Sequence, residues 1–468
     1  MSKIKFVLFL SLVISFRIYA QNDSIQYDVE LMGITSTGNY APFWIQSNQW
    51  GKVSAQPNST NLLIGINKAY GDKSRLFDYG YKAKLLLQAD QVESKVYLHE
   101  IYLKARFSAF DLSIGAQEEI FGNQDSTLSG GGFLFSQNAR PIPKITVGIL
   151  NFTPIPYTMG YLEIKGALSQ GVFRDNIYIQ NELLHHKYGY LRIGGKLPIH
   201  LQYGLEHTAL WGGNIPGIGQ QTISLYDFQN VFFAKNGGAN TDITEQMNAQ
   251  GDHRISQSVK LEAQISDYKI NAYWQNFSED GPIKFIAAAV NIQDGLWGLS
   301  IKNEKLAFLN AFVYEYLNTS DQSGTIFQKD GIIYGGRDNY FMNGIYRSGW
   351  NNFSRTIGTP FISSPIYNKN NEIATTNNRV EVHQFGIGGD ILGYRYRSMY
   401  SLSKNYGTYD LHFQNMKPNI SMLVEINKKL KKYNNVECGL TLANDYGELY
   451  GNSFGFKVSI RKTGNLFK

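Results

Sequence analysis

The sequence predicts an all-β protein: a transmembrane, antiparallel, up-and-down β-barrel of about 16–18 strands with short helical inserts. Three observations carry this. Apolar and polar residues alternate with a period of two over long stretches. After the first twenty residues, nothing approaches the roughly 18 consecutive apolar residues that a spanning helix needs. The chain is also rich in Tyr (31), Phe (28) and Gly (46), whereas Pro is scarce (12).

The alternation is clearest from Val259 to Trp274. Val259, Leu261, Ala263 and Ile265 alternate with Lys260, Glu262 and Gln264. Ser266 and Asp267 make a tight turn, and Tyr268, Ile270, Ala272 and Trp274 resume the apolar phase. This is a hairpin with one greasy face and one wet face. Leu197 to Leu205 reads the same way. Ile420 to Ile426 leads through the basic turn Lys428–Lys432 into Val436, Cys438, Leu440 and Leu442. That phase puts Cys438, the one cysteine, on the apolar face. It has no partner for an internal disulfide. Phe454, Phe456, Val458 and Ile460 mark the closing strand, which runs toward Phe467–Lys468.

A soluble sandwich also alternates. The membrane is favoured because the polar face carries Gly, Arg and Glu, as a wet lumen allows. Trp274, Trp297, Tyr314, Tyr316, Tyr394 and Tyr396 recur near strand ends, where an interfacial girdle belongs. Hydrocarbon cannot satisfy backbone donors and acceptors, so such a sheet must close on itself.

Residues 1–20 read as a secretory leader: Lys3 and Lys5, an apolar run from Phe6 to Phe16, and Ala20 at the cut. Residues 21–468 are then expected to be one outer-membrane barrel domain. The formal charge is +6, and losing the leader's Lys3, Lys5 and Arg17 lowers it to +3. That scattered excess does not suit nucleic-acid binding, which wants a basic stripe. Gly122–Gly132 and Pro141–Pro156 look irregular, as loops or inserts. The longest connection, Trp211 to Arg254, should hold one short helix, with Ser224 as its cap, Asp227 at the capping-box position, and Leu225, Phe228 and Phe232 on one face.

Sugar recognition uses planar polar groups for hydroxyl pairs and aromatic faces for the apolar side of the ring. Arg337, Asp338, Asn339, Tyr340, Tyr346, Trp350, Arg355 and Arg379 have that make-up. The plainer reading of the same residues is a set of girdle aromatics and a lumen arginine–carboxylate network. Glu206 and His207 followed by Trp211 could place an acid or base beside a sugar platform, or could tether a loop. His185 and His186 point to opposite faces of a strand and cannot share an ion. No Gly-x-Ser-x-Gly, His-Glu-x-x-His or phosphate loop is present. No cofactor and no metal is expected.

Several strings resemble the Wzi-type capsule assembly family in its Bacteroidetes-like form. They are Tyr40-Ala-Pro-Phe-Trp44 with Ser47-Asn48, Pro141-Ile-Pro-Lys144, Glu206-His207 with Trp211-Gly-Gly213, Glu279-Asp-Gly281 and Asp294-Gly-Leu-Trp-Gly298. Tyr314-Glu-Tyr-Leu317, Gln322-Ser-Gly324, Tyr340-Phe341, Tyr346-Arg-Ser-Gly-Trp350, Arg355-Thr-Ile-Gly-Thr-Pro360, Asn377-Asn-Arg-Val380 and Asn405-Tyr-Gly-Thr-Tyr409 follow in the family's order. The resemblance implies an outer-membrane barrel of about 18 strands that helps capsular or extracellular polysaccharide attach at the cell surface, lectin-like and without catalysis.

The expected partners are therefore polysaccharide and outer-membrane lipids, with the chain as a monomer. The site residues that this reading selects are Glu206, His207, Trp211, Arg337, Asp338, Tyr346, Trp350, Arg355 and Arg379. A passive saccharide porin is the alternative, since a barrel of this size could keep an open charged lumen. An outer-membrane hydrolase using Glu206 and His207 comes third.

Overall fold

The computed structural model describes residues 24–71, 75–247, 249–279, 292–322, 327–329, 332–334, 338–369, 372–434 and 436–466. The leader, Arg337, Asp280-Gly281, Gly324 and Phe467–Lys468 lie outside them.

Eighteen strands form one antiparallel sheet that closes on itself. They begin with β1 (Gln26–Ser36), β2 (Ser59–Lys68), β3 (Phe77–Asp90), β4 (Ser94–Phe107), β5 (Phe110–Ala116), β6 (Lys144–Pro154), β7 (Leu162–Val172), β8 (Leu183–Ile193) and β9 (Ile199–Trp211). Two-residue strands β10 (Asn214–Ile215) and β11 (Gly219–Gln220) sit in the next connection. The wall resumes with β12 (Asp252–Ile265), β13 (Tyr268–Ser278), β14 (Gly295–Lys302) and β15 (Ala311–Asn318). The small hairpins β16 (Phe327–Lys329) with β17 (Ile332–Tyr334), and β18 (Asn351–Asn352) with β19 (Arg355–Thr356), lie in the connection after it. Then come β20 (Val380–Ile391), β21 (Tyr394–Gly407), β22 (His412–Leu430), β23 (Val436–Gly447) and β24 (Ser453–Asn465). β24 pairs back onto β1, from Gln26↔Asn465 to Ser36↔Gly455.

The barrel is inside-out relative to a soluble fold. Leu261, Ile265 and Tyr268 face outward and are exposed, while Asn271, Tyr273 and Gln275 face inward and are buried. The expected hairpin has its turn at Ser266–Asp267, and its register pairs Val259 with Trp274. The outward girdle pairs Trp297 with Tyr316 at 5.7 Å, and the Lys428 ammonium sits 4.0 Å from the centre of the Tyr394 ring. Cys438 falls on the outward face, half-buried. The strand β6 runs through part of Pro141–Pro156, which the sequence left irregular. Its register shifts between Ile149 and Thr153, and such a bulge interrupts the two-residue period that would have revealed it.

Tight turns such as Ser108–Ala109, Ser266–Asp267 and Leu392–Gly393 share one end with both termini. Connections 37–58, 117–143, 212–251 and 319–379 share the other. Short turns are periplasmic in outer-membrane barrels, so the long loops are extracellular.

Three of those loops fold into the barrel. The core unites Phe43, Trp44 and Ile45, Phe133 and Leu134, and Tyr340, Phe341, Trp350 and Ile362 with inward wall residues such as Leu63, Leu86, Phe277 and Leu423. Among the described residues, the extracellular half of the lumen is therefore a packed side-chain core. Toward the periplasm a cavity of about 210 Å³ remains, lined by Asn123, Asp125, Lys260, Lys269 and Lys302 among others.

Candidate functional site

The plug is held because lumen-facing acceptors take backbone amides from the loops. Asp445 on β23 accepts from Phe43 N at 2.7 Å. Glu315 on β15 accepts from Gly130 N at 2.7 Å, Ser129 Oγ at 2.6 Å and Tyr273 Oη at 2.7 Å. Gln275 on β13 accepts from Phe133 N at 2.9 Å, and Glu279 just beyond β13 accepts from Phe341 N at 2.6 Å. A loop entering the lumen brings unpaired N–H groups with it, and each one buried without a partner costs about 1–3 kcal/mol. The polar lumen face of the strands supplies the partners.

Trp350 sits at the centre, 0 % exposed. Its indole Nε1 donates to Leu134 O at 2.7 Å, tying loop 319–379 to loop 117–143. Its ring meets Phe135 edge-on at 5.4 Å, and the Arg254 guanidinium lies 5.1 Å from its centroid. Gly349 next to it has φ 63°. A Cβ there would stand 2.0 Å from Phe341 O, so only glycine lets the chain turn this closely. Arg254 is itself fully buried, 2.5 Å from Asp252 and 3.3 Å from Glu279.

The sequence-selected residues divide into three places. Tyr346, Trp350 and Arg355 lie inside the plug. Tyr346 Oη donates to Glu245 Oε1 at 3.1 Å, linking the plug to loop 212–251. Arg355 donates to Gln46 Oε1 and to Val53 O, holding the first loop. Glu206 and His207 are neighbours on β9 and face opposite ways. Glu206 points inward and accepts from Tyr190 Oη. His207 and Trp211 point outward, where His207 Nε2 lies 2.9 Å from His253 Nδ1. Glu206 and His207 therefore cannot act together on one bond.

Asp338 and Arg379 are at the rim. Both are half-buried at the mouth. The Arg379 guanidinium lies 5.0 Å from the centre of the Tyr409 ring, and its Nε donates to Ser320 O at 3.3 Å. Beside them Asn339 Nδ2 donates to Asp410 Oδ2 at 2.7 Å. Two connections, 319–379 and 408–411, thus present an aromatic face, a guanidinium and an amide–carboxylate pair together. Tyr409 and Asp410 were not selected from sequence as ligand contacts, although Tyr409 closes one of the family-like strings.

Burial also sets the protonation of the loop carboxylates. Desolvation pushes Asp294 up to about 6, against amide donors at Asp321 (2.9 Å) and Gln322 (2.7 Å) and the Tyr340 hydroxyl (2.8 Å), which favour its charged form. A carboxyl with a raised folded value adds stability that is complete below its unfolded value of 3.8 and is lost as pH rises through about 6. Stability between pH 4 and pH 8 should fall by about 2.4 kcal/mol through this group, and the wild-type minus Asp294→Asn difference in thermal unfolding isolates it. A pH-independent difference would reject the assignment.

No curated protein matches the chain. Wzi of Escherichia coli, an outer-membrane protein involved in group 1 capsule assembly and a carbohydrate-binding β-barrel, has a solved structure similar to this one. Identity is 13 %, the match covers 97 % of this chain and 88 % of that one, and the TM-score is 0.59. OpdL of Pseudomonas aeruginosa matches at 10 % identity, covering 95 % of this chain and 99 % of its own, with a TM-score of 0.49. The family model described as capsule assembly protein Wzi matches residues 48–363, more than half of the sequence. This chain, an outer-membrane β-barrel, belongs to the Wzi capsule assembly family.

Proposed function

We propose that this chain binds capsular or other extracellular polysaccharide on its extracellular face and holds it at the cell surface without catalysing a reaction. The observation that carries the reading is the plug. Loops 37–58, 117–143 and 319–379 pack the outer half of the lumen, so the mouth is a solid platform instead of an entrance. A platform with Arg379 over Tyr409 and the Asn339–Asp410 pair beside it suits sugar hydroxyls and ring faces. The E. coli relative, a carbohydrate-binding β-barrel involved in group 1 capsule assembly, supports the same reading. The separation of Glu206 from His207 supports a binding role over a hydrolytic one. The protein acts as a monomer in contact with outer-membrane lipid.

Purified protein and the polysaccharide of its own cells provide the test. Arg379→Ala combined with Tyr409→Ala should weaken binding about tenfold, the effect of losing roughly 1.4 kcal/mol, with thermal unfolding unchanged. Deleting the gene should move polysaccharide from the cells into the medium. Equal affinity in the double variant, or undiminished cell-associated polysaccharide, would sink the proposal.

A further inference from the structure

The helix in the extracellular connection 212–251, which is shorter than connection 319–379, lies on the outside of the barrel. It spans Leu225–Phe233 and starts with the capping box that the sequence predicts, Ser224 N donating to Asp227 Oδ2 at 2.7 Å and Asp227 N to Ser224 Oγ at 3.2 Å. Its buried side packs on a small cluster separate from the lumen core: Val231 with Ala209 and Trp211, flanked by Leu183 and Phe228. His185 lies 5.9 Å from Phe228 and 5.4 Å from Phe232.

Parity shows which side this is. Along β9, Ile199, Leu201 and Tyr203 are exposed on the lipid-facing side, and His207, Ala209 and Trp211 continue the same face in unbroken register. On β8, Leu191 and Ile193 share the outward face with Leu183 and His185. The helix therefore covers the top of the outer wall, where lipid would otherwise begin or end.

Its other side is apolar and open. Leu225 is 72 % exposed, Tyr226 60 % and Phe233 62 %. At 100° per residue these three share one face with Gln229. Ile243 and Met247, in the short helix Ile243–Met247 of the same loop, are also exposed. The height can be placed. Between Ile199 and the span His207–Trp211, a strand tilted by about 40° and rising about 3.3 Å per residue climbs roughly 20–30 Å. The lipid-facing band of such barrels is about 25 Å tall. The helix thus sits at the outer edge of that band, continuous with it. Lys187 and Lys235 lie against Phe232 and Phe233, their ammonium groups 3.7 Å and 5.4 Å from the ring centres. Apolar side chains below and cations at the boundary are the make-up of a helix lying in a lipid interface.

We propose that the helix Leu225–Phe233 lies in the outer leaflet as a lipid-interface element, with Leu225, Tyr226 and Phe233 in the boundary between headgroups and acyl chains. This goes beyond the polysaccharide reading and does not depend on it.

Site-directed spin labelling tests it in the full mature chain. In a Cys438→Ser background, Tyr226→Cys and Phe233→Cys are labelled and reconstituted into phosphatidylethanolamine–phosphatidylglycerol vesicles. Leu201→Cys serves as the lipid reference and Asp410→Cys as the aqueous one. Power saturation should give an oxygen-to-nickel-chelate accessibility ratio severalfold above that at position 410 and close to that at 201. A ratio matching position 410 would place the face in water and overturn the proposal. Spin–spin broadening between labels on different molecules would put a second copy on this face, and would overturn it equally.

Discussion

Replacing Trp350 with alanine is expected to destabilise the plug by about 3–5 kcal/mol, the range for truncating a fully buried aromatic side chain. The loss combines three contacts. The indole fills the junction of two loops, its N–H satisfies Leu134 O, and its face carries Arg254. The barrel wall has its own continuous hydrogen-bond ladder, so the effect should be selective. Planar bilayers should show unsteady openings in Trp350→Ala and none in the wild type, while the strand signal in circular dichroism stays constant. Trp350→Phe keeps most of the area and loses the donor, and should cost nearer 1 kcal/mol. A silent, thermally unaltered Trp350→Ala protein would show that the plug is held elsewhere.

Arg254→Ala should cost a similar amount for a different reason. It leaves Asp252 and Glu279 buried without their counter-charge, and breaking a buried pair from one side costs about 3–5 kcal/mol. Burial already holds Glu279 well above the usual carboxylate range. Without the arginine its folded value rises further above its unfolded one. Stability is then retained at low pH and lost as pH rises. The deficit of Arg254→Ala relative to wild type should accordingly be largest near pH 8 and shrink toward pH 5. A deficit that grew on acidification would contradict this account. Arg254→Lys keeps the charge and loses the planar fork that reaches both carboxylates and the Trp350 face, so it should recover only part of the loss.

The wall was legible because its rule is local. A two-residue period fixes which side of each strand meets lipid, and 18 strands fall within the expected 16–18. The helix at Leu225–Phe233 was legible for a similar reason, since Ser224 and Asp227 form a cap within one turn. The destinations of the loops were not. Trp350, Tyr346 and Arg355 carry the chemistry of a sugar site, and that chemistry equally suits a packed, hydrogen-bonded plug. Only the fold shows that they meet Leu134, Glu245 and Gln46, each distant in sequence. The gathering of His185, His207 and His253 on one outer patch also escaped notice. They come from three adjacent strands whose register no short motif records. At the rim the reverse holds: Arg379 was visible as a motif residue, while its aromatic partner Tyr409 belongs to a separate loop.

The seam between β1 and β24 has a consequence for biogenesis. Its partners, such as Gln26 and Asn465, are among the most widely separated in the whole chain. Until the ribosome has delivered the final strand there is no cylinder, only a curved sheet with two raw edges. Each edge offers unpaired amides and carbonyls to any neighbouring polypeptide. Insertion must therefore follow synthesis, and the precursor must cross the periplasm shielded, with both margins covered until they find each other.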